Sequence, residues 1–89
     1  MTVYTYLIKS DLDGGFYTGI SIDPFKRVNE RNSGKLKTTA FKKPWKLVYI
    51  NQHESYSEAR EQERWLKKKN RKYKEALAQL APPYVGGVK

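Results

Sequence analysis

The sequence predicts an α+β domain whose elements run β-β-α-β-α-α. Three observations lead there. Two runs rich in β-branched and aromatic residues, Val3–Ile8 and Phe16–Ile20, flank a turn cluster at Ser10–Gly15. A third such run, Trp45–Ile50, follows a proline that excludes helix. Helix-start signals at Asp23-Pro24, at Ser55 or Ser57, and near Asn70 open the remaining segments. At 89 residues the chain has room for one modest core.

Each element has a local cause. Asp13-Gly14-Gly15 supplies residues that tolerate positive φ, so the first two runs read as a hairpin. Alternation places Tyr4, Tyr6 and Ile8 on one face. If paired residue numbers sum to an odd value such as 23 or 25, Tyr17 shares the face of Tyr6; an even sum separates them. The odd register is the one adopted here. The paired tyrosines either line a site or only stabilise the sheet, as tyrosine often does.

Asp23 as N-cap and Pro24 at the first helical position begin a helix that Asn32-Ser33-Gly34 ends. Phe25, Val28 and Asn32 fall on one side, and Arg27 and Arg31 share a flank at i, i+4, ordinarily a solvated face. Lys35–Lys43 reads as a basic loop suited to phosphate contact or serving as a plain connection. In the third strand Leu47 and Tyr49 are expected to face one way, and Val48 and Ile50 the other.

The next helix carries Glu58 and Glu61 in its first turn, where the dipole favours acids. At ~100° per residue its inward stripe is Ala59, Leu66 and Tyr73, and Glu63 lies ~40° from Ala59, within that stripe. A carboxylate there must be paired, protonated or metal-bound. Asn70 falls on the same stripe or caps a new helix, Arg71–Leu80, with an apolar edge of Ala76, Leu77 and Leu80. Pro82-Pro83 stops it. The domain is thus expected to span 1–80, with 81–89 as a loose tail.

Charge is the strongest compositional signal. Eighteen Lys and Arg oppose nine Asp and Glu, a net +9, which points to a polyanion as partner. The charge is clustered: five lysines and no acid between Lys35 and Lys46, and seven basic residues and no acid between Arg64 and Lys74. Without cysteine, and with His53 as the lone histidine, disulfides, cysteine-zinc sites and histidine-rich metal sites are excluded. No apolar run approaches the ~20 residues of a membrane span. Met1–Ser10 lacks the pattern of a secretory signal, so a cytoplasmic location is expected.

A Tyr on each hairpin strand, an Arg on the following helix and a Glu on the next resemble the GIY-YIG (URI) nucleases. Tyr4-Thr5-Tyr6 matches the first motif, Tyr17-Thr18-Gly19 the second, Lys26-Arg27-Val28 the Arg motif, and Glu63 in E-R-W-L-K-K the Glu motif. Asn32–Lys35 (N-S-G-K) and Pro44–Tyr49 (P-W-K-L-V-Y) resemble the small single-domain bacterial branch, which is similar to the N-terminal nuclease domain of the excinuclease. The match covers residues 3 to about 80. It implies a three-stranded antiparallel sheet flanked by helices, with Tyr6, Tyr17, Arg27 and Glu63 converging on one concave surface.

The same resemblance implies a metal-dependent DNA endonuclease, acting as a monomer. Glu63 would hold Mg²⁺ or Mn²⁺ together with waters and a phosphate oxygen. Arg27 would stabilise phosphoryl charge, Tyr6 would orient or deprotonate the attacking water, and Tyr17 would hold the water and phosphate network. Lys35, Lys37, Lys42, Lys43, Lys67, Lys68, Lys69 and Arg71 would grip the nucleic-acid backbone. Two departures stand out. The first motif lacks its Gly and Ile. The position usually His or Tyr in active members is Arg31, whose guanidinium stays charged and can bind phosphate but not hand on a proton near neutral pH. Alternatives are a catalytically weak or inactive nucleic-acid-binding module of the same fold, and an adaptor for an acidic protein.

Overall fold

The structure is a computed structural model and describes residues 2–34, 42–79 and 84–86. Strands β1 (Val3–Ser10) and β2 (Phe16–Ser21) precede helix α1 (Pro24–Asn32), strand β3 (Trp45–His53), helices α2 (Tyr56–Lys67) and α3 (Arg71–Ala78), and a short strand β4 (Tyr84–Gly86). The sheet order is β2-β1-β3-β4. The central β1 pairs antiparallel with both β2 and β3, the three-stranded antiparallel sheet expected. The fourth is an addition: Tyr84–Gly86, expected in a loose tail, pairs in parallel with Tyr49–Asn51. The outer edge of β3 offers unpaired backbone groups that such a strand satisfies.

The hairpin turn is built as its residues require. Ser10 N donates to the Gly15 carbonyl at 2.8 Å, and Gly14 N to the Ser10 carbonyl at 2.9 Å. Gly14 takes φ +75, a left-handed conformation that glycine adopts without strain. Asp13 Oδ1 accepts from Gly15 N at 2.8 Å. Paired residues across β1 and β2 include Tyr6 with Gly19 and Ile8 with Tyr17. These sum to 25, so Tyr6 and Tyr17 are diagonal neighbours on one face.

The sheet buries both faces. Tyr6, Ile8, Trp45, Ile50 and Val28 of α1 form one cluster; Leu7, Val48, Tyr49 and Leu66 of α2 form the other, with Leu77 and Ala78 of α3 packed against it. A shift of register between Leu7 and Ile8 explains why β3 departs from strict alternation. Leu7 pairs with Tyr49 but Ile8 with Leu47, so Val48 is the extra residue of a bulge. Val48 and Tyr49 therefore share a cluster, and Leu47 packs with Ile50, correcting the expected order of faces.

Caps fix the helix limits. The side chains of Asp23, Ser55 and Asn70 accept from Lys26, Glu58 and Tyr73 backbone N–H groups respectively. Gly34, just past α1, has φ +86. Asn70 is thus the cap of a new helix, not a member of the α2 stripe. The break at Lys68–Asn70 turns Tyr73 outward, whereas Ala59 and Leu66 are fully buried as expected. Ala76 is exposed, and Leu80 lies outside the described residues.

Candidate functional site

The residues that meet most closely are Tyr6, Tyr17 and Arg31. The Arg31 guanidinium carbon lies 4.1 Å from the centroid of the Tyr17 ring, a cation–π stack. Arg31 Nη2 donates to Tyr6 Oη at 3.3 Å. Trp45 meets the Tyr17 ring edge-on at 6.5 Å between centroids. Gly19 makes room: a Cβ there would stand 2.6 Å from Tyr6 Oη and 2.7 Å from Cζ, so the Tyr6 ring lies across the bare backbone of β2.

Burial reassigns two of these groups. Arg31 was expected beside Arg27 on a solvated flank, yet it is only 4% exposed. Pro24, Val28 and Arg31, at i, i+4 and i+7, are the buried stripe of α1. Tyr6 is 1% exposed and Tyr17 about a third. Tyr17, not Tyr6, therefore meets solvent. Arg27 remains on the exposed flank, 3.4 Å from Glu30, and both residues border a cleft of ≈ 340 Å³ lined also by Ile20–Asp23 and Lys26.

Glu63 is carried by α2. The Thr5 hydroxyl donates to the Ala59 carbonyl at 2.9 Å, and Leu66 packs on Leu7, so α2 covers the face opposite Tyr6 and α1. Strand alternation forces this division, since Thr5 and Leu7 point away from Tyr6 and Ile8. Because β2 is the outermost strand on that side, the route from Tyr17 to α2 passes around its free edge. The Glu63 side chain is 16% exposed and pairs with Lys67 at 3.3 Å. Among the described residues, no group of three or more His, Asp or Glu side chains could hold a metal ion.

The basic residues separate by role. Lys35 and Lys37 lie outside the described residues. Lys42 pairs with Asp13 at 3.4 Å, and Lys43 and Lys68 are exposed. Arg71 ties α3 to the hairpin by donating to the Gly14 carbonyl at 3.1 Å and pairing with Glu75. Two carboxyls are held below their ordinary values: Asp13 chiefly by the Gly15 N–H, and Glu75 chiefly by its hydrogen bond from Arg71. Sequence reasoning missed Lys69, Trp65 and Tyr73 as one cluster: Lys69 Nζ lies 4.6 Å and 5.4 Å from the two ring centroids. The signal was available, since Trp65, Lys69 and Tyr73 recur at steps of four.

The match to a family model places this small α+β domain in a nuclease superfamily. The family model described as "GIY-YIG catalytic domain" matches residues 2–76, and the chain belongs to the GIY-YIG family. It is 39% identical over 74 residues to a UPF0213 protein of Bacillus cereus, covering 82% of this chain and 77% of that one. A UPF0213 protein of Syntrophus aciditrophicus is 35% identical over 81 residues, covering 89% and 92%. The solution NMR structure of a UPF0213 protein from Bacillus halodurans is similar with a TM-score of 0.53 at 35% identity, covering 86% of this chain and 82% of that one. Among the described residues no helix is long and apolar enough to cross a membrane.

Proposed function

We propose that this domain is a metal-dependent DNA endonuclease whose site wraps the free edge of β2. The observation that supports this reading most directly is Tyr17, partly exposed on the outermost strand beneath a stacked Arg31. A phosphodiester laid along that edge would meet the Tyr17 hydroxyl and, from the exposed flank of α1, Arg27. The Arg27–Glu30 pair is an exposed i, i+3 contact that contributes little, so Arg27 can exchange it for phosphate. Tyr6 is too buried to touch water; its part is to hold Arg31, and through it the ring of Tyr17.

The donor set fits a hydrated Mg²⁺ or Mn²⁺, which commonly takes one protein carboxylate with waters and phosphate oxygens. Glu63 is the carboxylate in question, and its partner Lys67 is a half-exposed side chain that can swing away. Such an ion, held by Glu63, would supply charge stabilisation at the leaving oxygen. In the hydrolysis, water oxygen bonds to phosphorus and gives up a proton to solvent, the P–O bond to the sugar breaks, and the departing oxygen takes a proton from solvent.

One observation favours a second reading, a nucleic-acid-binding module with weak or no catalysis. Arg31 sits, permanently charged, where active members of the family usually carry a group that can pass a proton. Labelled branched, single-stranded and duplex DNA, incubated with Mg²⁺ or Mn²⁺ beside a Glu63→Ala control, separates the two. Cleavage that is lost in Glu63→Ala supports the endonuclease. Salt-dependent binding without cleavage supports the module. Cleavage that survives in Glu63→Ala refutes the assignment of Glu63.

A further inference from the structure

A second surface lies on the other side of the sheet, along α2 and α3. Glu58, Glu61, Gln62 and Trp65 form one helical stripe and, with Asn51 and His53 of β3, line a cleft of ≈ 510 Å³, within the ~300–1,000 Å³ of small-ligand pockets. Its polar groups are already ordered. Gln62 Oε1 accepts from Asn51 Nδ2 at 2.6 Å and lies 2.7 Å from His53 Nε2. Asn51 Oδ1 is buried without a hydrogen-bond partner among the described residues.

Trp65 stands at one end of this cleft, 45% exposed. Beyond it the Tyr73 ring meets it edge-on at 5.6 Å, with Lys69 over both rings. Two large aromatics thus remain at the surface in the most basic stretch of the chain, where residues 64–74 include seven cations and no acid. Burial in the core does not account for them, because α2 packs through Ala59 and Leu66.

We propose that this surface binds an unpaired nucleic-acid segment, with a base stacked on Trp65 at the mouth of the cleft and the backbone crossing Lys68, Lys69 and Lys72. Stacking on a side chain needs an exposed base face, which paired bases in a duplex do not offer. The charge pattern sets the orientation. Glu58 and Glu61 lie one to two turns before Trp65, about 6–10 Å at the helical rise, and repel phosphate from that end. The base is neutral, so it can enter where the backbone cannot. The inference does not rest on the endonuclease reading: it concerns the flank of α2 that meets β3, a cleft that Glu63 does not line, and requires no cleavage.

The chain has two tryptophans, and Trp45 is only 5% exposed, so quenching by an added strand reports Trp65. The test titrates the protein, without divalent metal, with oligothymidylate of about 12 nucleotides, within the usual single-strand site size, and separately with a blunt duplex. Oligothymidylate should quench the fluorescence, and Trp65→Leu should bind it at least about fivefold more weakly, the low end for loss of one stacked base. Duplex affinity should stay the same in both proteins. Trp65→Tyr keeps a stacking ring and should bind oligothymidylate within about twofold of the wild type by the same reasoning. Absent quenching, equal oligothymidylate affinity in Trp65→Leu, or a Trp65→Tyr as weak as Trp65→Leu would overturn the proposal. Cleavage assays are a separate readout, so failure here leaves the endonuclease reading standing and the converse also holds.

Discussion

Gly19→Ala tests the packing of the tyrosine pair most sharply. The new methyl would stand 2.6 Å from Tyr6 Oη and 2.7 Å from Cζ, closer than real contacts allow, and a tight 3.1 Å from Cε2. The backbone of β2 is itself held by pairing to β1, so the ring has to move. Overpacking of this kind costs about 1–3 kcal/mol. A displaced ring also weakens the hydrogen bond from Arg31, and bonds to charged donors contribute about 1.5–3 kcal/mol. A loss near 3 kcal/mol follows, or about 12–24 °C in Tm for a domain of this size. Urea and thermal melts followed by circular dichroism measure it. The cause is checked by a double-mutant cycle with Tyr6→Leu. Without the ring, Gly19→Ala should cost less than about 1 kcal/mol, because alanine in a strand is otherwise no worse than glycine. A Gly19→Ala protein within about 0.5 kcal/mol of the wild type, the range of an ordinary surface change, would refute the reasoning.

Glu63→Gln should abolish metal-dependent cleavage while changing stability by no more than about 0.5 kcal/mol, since its i, i+4 partner Lys67 is half-exposed and such helix pairs contribute about that much; a destabilised variant that still cuts DNA would end its assignment as metal ligand. Arg31→Lys keeps charge but loses the planar stack on Tyr17 and should lower stability by about 1–2 kcal/mol, read from urea midpoints. Neutralising Lys67, Lys68 and Lys69 together should reduce the salt slope of DNA affinity by about two units, at ~0.9 per phosphate contact, given that Lys67 is partly engaged by Glu63; a salt-insensitive interaction would point to a protein partner. NMR titration should find the Asp13 carboxyl below its ordinary 3.8. Its folded value is depressed, so its stabilisation is present above the unfolded carboxylate range and is lost as pH falls through the folded value; the stability gap between wild type and Asp13→Asn should close in that acid window.

Features with a local cause were legible in the sequence. The hairpin follows from Asp13-Gly14-Gly15, and each helix start from a side chain that caps its own neighbours, because these interactions span four residues or fewer. The odd register was one of two that the turn allowed; the buried Tyr6 ring over Gly19 selects it. What escaped depends on distant partners. Nothing near Val48 announces the bulge, which shows only in how β3 pairs with β1. Arg31 reads as surface by charge, and only the Pro24–Val28–Arg31 stripe, taken with two tyrosines from another element, marks it as buried. Which face α2 covers is set by the crossover after β3, and periodicity within α2 is silent about it, so the sequence placed Glu63 inward without saying toward what.

Asn32 joins the end of α1 to the start of β3 through both halves of its amide: Nδ2 donates to the Trp45 carbonyl at 2.9 Å, and Oδ1 accepts from Trp45 N at 2.5 Å. Close by, Ser10 Oγ donates to the Lys42 carbonyl and Asp11 N to the Pro44 carbonyl. These four bonds fasten the start of β3 both to the end of α1 and to the hairpin, so three elements share one knot of backbone carbonyls and N–H groups. Asn32→Asp would loosen that knot, because a carboxylate cannot donate to the Trp45 carbonyl.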